Sequence, residues 1–181
     1  MQDLAYRAMR FAMDAHSKQK RKYTSAPYFT HLCEVAGIVS SVAPAISSDA
    51  SMHQIMVATA YLHDYIEDQK SSNDTDGYFA LHTLGVEFGD VVANGVMLLS
   101  DLETGIRADR NEASRMRLAG APGWIQTIKC ADLISNTSSI AQYDPKFSVT
   151  YMKEKRLLLE VLLRADNRLH AIASGIAESV K

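Results

Sequence analysis

Along nearly the whole chain, apolar residues recur at intervals of three and four. Leu4, Ala8, Phe11, Ala12 and Ala15 form one set, Val35, Ile38, Val39 and Val42 a second, and Leu157, Leu158, Val161, Leu162 and Leu169 a third. That spacing lays an apolar stripe along one helix face, whereas a half-buried strand needs strict alternation. Alternation over a strand's length is hard to find. Asp90 to Leu99 and Trp124 to Cys130 have some strand propensity, but they sit between helical turns and carry polar residues three and four apart. Both are therefore read as helices. The pattern predicts an all-α fold of roughly seven to nine helices, at a mean helix length of about 11–12 residues. One domain is expected over residues 1–181.

Local signals place the boundaries. Pro27 stands just before the second helix, with Thr30 as a candidate cap. Ser47-Ser48-Asp49 offers caps for the third. Gln69 to Gly77 and Leu102 to Asp109 read as loops, and Ala121-Pro122-Gly123 as a turn that opens another helix.

Composition narrows the partners. With 19 basic against 21 acidic residues and a formal net charge of −2, no strong field favours nucleic acid or a membrane surface. No uninterrupted apolar run approaches the ~18 residues of a membrane span. Met1-Gln2-Asp3-Leu4 does not start a signal peptide. Cys33 and Cys130 lie in apolar segments and read as buried thiols, which fits a reducing cytoplasm. No pattern bears on the oligomeric state.

Chemistry concentrates in Leu62-His63-Asp64-Tyr65-Ile66-Glu67-Asp68, where an apolar segment ends in an imidazole and three carboxylates. Ionisable groups are costly to bury unless they are paired or bind a metal. On a continuous helix His63 and Glu67 share a face, as do Asp64 and Asp68. His31 opens the helix after Pro27-Tyr28-Phe29-Thr30. Asp132 interrupts the apolar Ile128-Lys129-Cys130-Ala131-Asp132-Leu133-Ile134, with Asn136 one turn later. His31, His63, Asp64 and Asp132 make a mixed imidazole and carboxylate set, suited to Mn²⁺, Fe²⁺, Co²⁺ or Zn²⁺ better than to Ca²⁺. Taken singly, each has a plainer reading: a core histidine, an ion pair between Asp132 and Lys129, a solvated helix end for Glu67 and Asp68.

The order His31, His63-Asp64, Asp132 resembles the HD-domain metal-dependent phosphohydrolases. With Gln19-Lys20-Arg21-Lys22 before Pro27-Tyr28-Phe29-Thr30-His31, with Glu67-Asp68, and with Lys129-Cys130-Ala131-Asp132 and Asn136, the text is similar to the RelA/SpoT-type hydrolase domain. The likeness is strongest to the stand-alone small alarmone hydrolases, the metazoan SpoT homologues among them, over roughly residues 3 to 165. The resemblance implies a single HD-domain helical bundle and Mn²⁺-dependent removal of the 3′-pyrophosphate from ppGpp or pppGpp. It implies His31, His63, Asp64 and Asp132 as metal ligands and Glu67 and Asp68 as the acidic pair that positions and activates water. It implies Arg21, Lys22, Asn136 and Tyr151 as substrate-binding residues. Of the acidic pair, Glu67 is expected to take the proton.

The chain also departs from those relatives. Leu32 replaces a proline after the first histidine, and Gln69 replaces a threonine. Leu102-Glu103 stands where a lysine commonly follows, and Thr137-Ser138-Ser139 offers no cation after Asn136. Two alternatives therefore stay open: another nucleotide reaction on the same centre, such as NADPH 2′-phosphate or dNTP hydrolysis, and a non-catalytic nucleotide sensor. Arg107, Arg110, Arg115 and Arg117 read as a solvated face or as a phosphate-facing edge, and Lys153-Glu154-Lys155-Arg156 as surface. His16, His53, His82 and His170 are not expected to be ligands; His16 is placed at the pocket rim.

Overall fold

The computed structural model describes residues 3–69 and 76–179, and the expected loop from Gln69 to Gly77 lies largely outside them. Among the described residues the regular elements are all helices: α1 (Leu4–Ala15), α2 (Phe29–Ile46), α3 (Ala50–Leu62), α4 (Tyr65–Gln69), α5 (Tyr78–Phe88), α6 (Asp90–Leu99), α7 (Arg107–Gly120), α8 (Gly123–Tyr143), α9 (Pro145–Leu159) and α10 (Asn167–Ser179). The two segments with strand propensity are α6 and the first part of α8. The only extended pairing among these residues is one bridge, Lys20 with Pro27.

Side-chain caps explain several starts. Asp3 accepts from Ala5 N, Asp49 from Ser51 N, and Asp144 from Phe147 N, with Pro145 in the first turn of α9. Each satisfies a backbone donor that the helix cannot. Thr30 is no cap. Its hydroxyl donates back to Pro27 O at 2.8 Å, and Tyr28 holds the cap position without a side-chain bond.

Two expectations of continuity fail. The third apolar set is split, because α9 ends at Leu159 and α10 begins at Asn167. Leu162, between them, is fully buried all the same. The acidic run is split too. α3 stops at Leu62, and a separate turn of helix restarts with Asp68 N donating to Asp64 O at 2.9 Å. This extra helix brings the number to ten among the described residues.

Two apolar clusters hold the bundle. Val35, Val39, Met56, Ile125, Ile128 and Met152 belong to one, and Ala12, Leu32, Leu62, Ile66, Leu84 and Val96 to the other. α2 and α3 feed both clusters and pack against each other, and α8 covers α2. α2 matches a membrane span by length and average hydropathy, with 18 residues. Here His31, Leu32, Val35, Ala36, Val39, Val42 and Ala43 are buried against neighbouring helices. His31 sits near the start of α2 and His63 just past the end of α3, so the antiparallel pair brings both to one end of the bundle.

Candidate metal centre

Both histidines are almost fully buried, and both are held by Nδ1. His63 Nδ1 lies 2.8 Å from Ala60 O, which only accepts, so Nδ1 carries the proton. His31 Nδ1 lies 2.8 Å from Ser135 Oγ. That hydroxyl donates its own hydrogen to Glu34 Oε2 at 2.5 Å, so it accepts from His31. Each Nε2 is left with a lone pair, buried and without a hydrogen-bond partner. Fixing a ring through its far nitrogen is how proteins prepare an imidazole ligand.

The two carboxylates complete the set. Asp64 Oδ2 stands 3.6 Å from His31 Nε2 and 3.1 Å from His63 Nε2. Asp132 Oδ1 stands 3.4 Å and 3.8 Å from the same atoms. One ligand atom each from His31, His63 and Asp64 falls within 4.8 Å of the others. Lone pairs facing carboxylate oxygens repel unless a positive charge lies between them. Titration directions show the same demand for positive charge, which a proton on Nε2 can also meet. Burial alone would lower both histidines, yet Asp64 and Asp132 together raise them. Burial alone would raise both aspartates. His63 and His31 nevertheless hold Asp64 low, and Lys129 and the histidines hold Asp132 low. A divalent cation held by His31, His63, Asp64 and Asp132 would supply the missing charge, and the donor set fits a transition metal better than Ca²⁺.

Outer contacts orient these candidate donors. Tyr28 Oη donates to Asp64 Oδ2 at 2.6 Å. Asn136 Nδ2 donates to Asp132 Oδ1 at 2.6 Å, and Lys129 Nζ pairs with Asp132 Oδ2 at 2.9 Å. The ion pair with Lys129 is thus present together with the approach of Asp132 to both imidazoles.

The centre opens into a cavity of about 360 Å³ that also reaches Arg21, Lys22, Asn136, Tyr151 and Glu67. Glu67 Oε2 accepts from Asp101 N at 3.1 Å. Burial, reinforced by the charge of Asp64, pushes its carboxyl up to about 7. Asp68 is placed differently and does not share that wall. Its Oδ2 accepts from Gln19 Nε2 at 2.9 Å and lies 3.5 Å from His16 Nδ1. Arg21 borders the cleft but is engaged, with Glu34 Oε2 at 2.9 Å and Ser135 O at 3.1 Å. Lys22 lies over the rings of Tyr23 and Phe147, at 4.9 and 5.9 Å. Tyr151 is buried, and burial raises its phenol.

Several wall residues escaped the sequence reading. Lys155 borders the cleft, one turn after Tyr151 on α9, with its Nζ 4.9 Å over the Tyr151 ring. Burial lowers its ammonium, and Lys129 adds to the effect. Arg156 donates to Ala177 O at 2.7 Å. The run from Lys153 to Arg156 is therefore not simply surface, and the spacing of four between Tyr151 and Lys155 was the available signal. Lys129, Tyr28, Tyr23, Phe147 and Asp101 also border the cleft. The arginine cluster divides. Arg107 grips Glu154 with two bonds, Arg115 pairs with Glu112, and Arg117 holds both Asp101 and Glu103. A second chamber of about 390 Å³ shares Glu67, Asp101 and Lys155 with the first and extends to Arg107 and Arg110. His53 and His170 contact backbone carbonyls instead of the centre. His16, expected at the rim, is buried at 2% exposure.

Comparison with known proteins accords with this geometry. No curated protein sequence matches. A solved structure of a metazoan ortholog of SpoT, which hydrolyzes ppGpp and plays a role in starvation responses, superposes with a TM-score of 0.80. The match covers 99% of this chain and 96% of that one at 20% identity, a likeness of fold. The HD domain family model matches residues 8–119, more than half of the chain and the part that carries His31, His63 and Asp64. A histidine from α2 and a His-Asp pair after α3 converge on one centre inside that match, and the chain belongs to the HD domain family.

Proposed function

We propose that this protein is a metal-dependent phosphohydrolase that removes the 3′-pyrophosphate from ppGpp or pppGpp, with Mn²⁺ as the cation and residues 1–181 acting as one HD-type unit. The observation that carries the reading is the pair of buried, unpartnered Nε2 atoms facing Asp64 and Asp132 beside Glu67. The similar metazoan ortholog of SpoT supports the substrate. When bound, the cation polarises a phosphoryl oxygen and acidifies water. Glu67, with a carboxyl near 7, is suited to accept the proton of the attacking water. Lys22, Lys129 and Lys155 offset phosphate charge along the cleft. Tyr23, Phe147 and Tyr151 offer ring faces to a nucleoside. Asn136 keeps Asp132 turned to the centre. Arg21, engaged with Glu34 and Ser135, acts on His31 as much as on substrate.

Purified protein with Mn²⁺ is expected to release pyrophosphate from ppGpp. No release with Mn²⁺, Co²⁺ or Mg²⁺ would remove the alarmone assignment.

One observation favours keeping another nucleotide reaction beside it. Asp101 and Glu103 both hold Arg117, so the stretch after Ser100 gives the cleft no lysine, and Lys155 approaches from α9 instead. Chromatographic product identification over ppGpp, NADPH and dNTPs separates the two. Turnover unchanged by Glu67→Gln would instead mark a sensor.

A further inference from the structure

One buried imidazole has no task in the chemistry above. His16 follows the last turn of α1, and its Nδ1 lies 2.6 Å from Gln19 Oε1. Gln19 Nε2 donates to Asp68 Oδ2 at 2.9 Å. An ionised carboxylate accepts and does not donate, so Gln19 must turn its NH₂ to Asp68 and its carbonyl to His16. That carbonyl needs a donor, which places the His16 proton on Nδ1. Nε2 then keeps a lone pair, buried and without a partner. Leaving a buried polar atom unmet is unfavourable, so an apolar side chain would fill the same space more readily. The other nitrogen must give something in return.

The ring also has a second neighbour. It lies against Tyr28, centroids 5.4 Å apart and planes 32° apart. Tyr28 Oη is the donor to Asp64 Oδ2. Gln19 and Tyr28 are themselves joined, Tyr28 N donating to Gln19 O at 2.9 Å. Two lines of contact therefore leave one imidazole. Its N–H edge leads through Gln19 to Asp68, and its face leads through Tyr28 to Asp64.

We propose that His16 is a positioning residue that holds the carboxylates of Asp68 and Asp64 from behind, by its Nδ1 hydrogen through Gln19 and by its ring face through Tyr28. The proposal rests on the hydrolase reading only where turnover is the readout.

The two lines are separable by substitution. His16→Phe keeps a ring against Tyr28 and has no donor. His16→Asn keeps a donor near the position of Nδ1 and has no ring. Loss of an outer contact to a metal ligand costs about 10–100-fold, the scale that applies to the Tyr28 line and Asp64. Asp68 is read with Glu67 as the acidic pair that positions water, so His16→Phe, which frees Asp68 from its anchor, is expected to lower kcat on ppGpp while KM and Mn²⁺ affinity stay at wild-type values. His16→Asn is expected to recover most of kcat and to weaken Mn²⁺ binding several-fold, read by titration calorimetry with the metal alone. Equal kcat for folded His16→Phe and wild type would overturn the Gln19 line. Unchanged Mn²⁺ affinity in His16→Asn would overturn the Tyr28 line. Long-range ¹H–¹⁵N spectra of the imidazoles need no turnover: an Nδ1-protonated His16 supports the proposal and an Nε2-protonated one overturns it. If wild type leaves ppGpp intact, the alarmone reading fails by itself, and the spectra and metal titrations still decide the role of His16.

Discussion

Lys129 Nζ and Asp132 Oδ2 stand 2.9 Å apart on α8, both side chains only 9% exposed, while the other oxygen of Asp132 faces the two unpartnered imidazole nitrogens. One carboxylate thus serves a fixed internal cation on one side and a place for an exchangeable cation on the other. Lys129→Met leaves Asp132 without its permanent partner. Breaking a buried pair from one side costs about 3–5 kcal/mol. Denaturant unfolding of the metal-free variant is expected to show a loss of that order, and Mn²⁺ is expected to restore part of it.

Metal removal is the direct test of the centre. A cation that binds the folded state at 100 times its Kd stabilises it by about 2.7 kcal/mol. Mn²⁺ should therefore raise the midpoint of thermal unfolding, and EDTA should reverse the rise. His63→Ala and Asp64→Asn should abolish it, because each removes an atom facing the cluster. An unchanged shift in His63→Ala would place the ion elsewhere.

Glu67 gives a pH dependence with a definite sign. Its folded value of about 7 lies above the ordinary carboxyl value, about 4.3 in an unfolded chain. The folded protein therefore holds the extra proton. That contribution to stability is complete below about pH 4 and is lost as pH rises to about 7. In metal-free protein, Glu67→Gln is expected to be more stable than wild type at pH 8 by up to about 3–4 kcal/mol, and equal to it at pH 4. The same substitution should lower turnover about 10²–10⁴-fold, the usual contribution of a general base. A bound cation lowers the carboxyl, so the acid limb of wild-type kcat should lie at or below pH 7 and be absent in the variant.

Gly123 opens α8 where a Cβ would lie 2.4 Å from Arg164 O. That oxygen is backbone and cannot swing aside. Gly123→Ala is expected to cost about 1–3 kcal/mol, the range for overpacking, while Mn²⁺ affinity of the folded protein stays unchanged. Calorimetry of both properties separates this packing defect from damage to the centre.

Legibility differed from element to element for physical reasons. α1, α2, α6 and α8 were readable because each buries a face, and burial writes the helical period into the sequence. The break after α9 was not, because Leu162 is as buried in a turn as it would be in a helix. The same blindness joined α3 to α4. His63 and Glu67 were expected on one helix face, and both reach the same end of the bundle across a break. Lys155 was hidden in a charge run: its spacing of four from Tyr151 puts the two on one face of α9, but only packing shows that this face borders the cleft.

By itself the sequence determined the helical class and singled out His31, His63, Asp64 and Asp132 as candidate donors, because apolar period and donor chemistry are properties of residue type and spacing. The tertiary structure alone decided which nitrogen of each imidazole is free, that Glu67 borders the cleft while Asp68 turns to Gln19 and His16, and that Arg21 is tied to Glu34. Those outcomes depend on partners far apart in the chain: Ser135 for His31, Gln19 for Asp68, Tyr28 for Asp64. A hydrogen bond over such a separation exists only once packing has brought both ends within about 3 Å, and local periodicity carries no record of it.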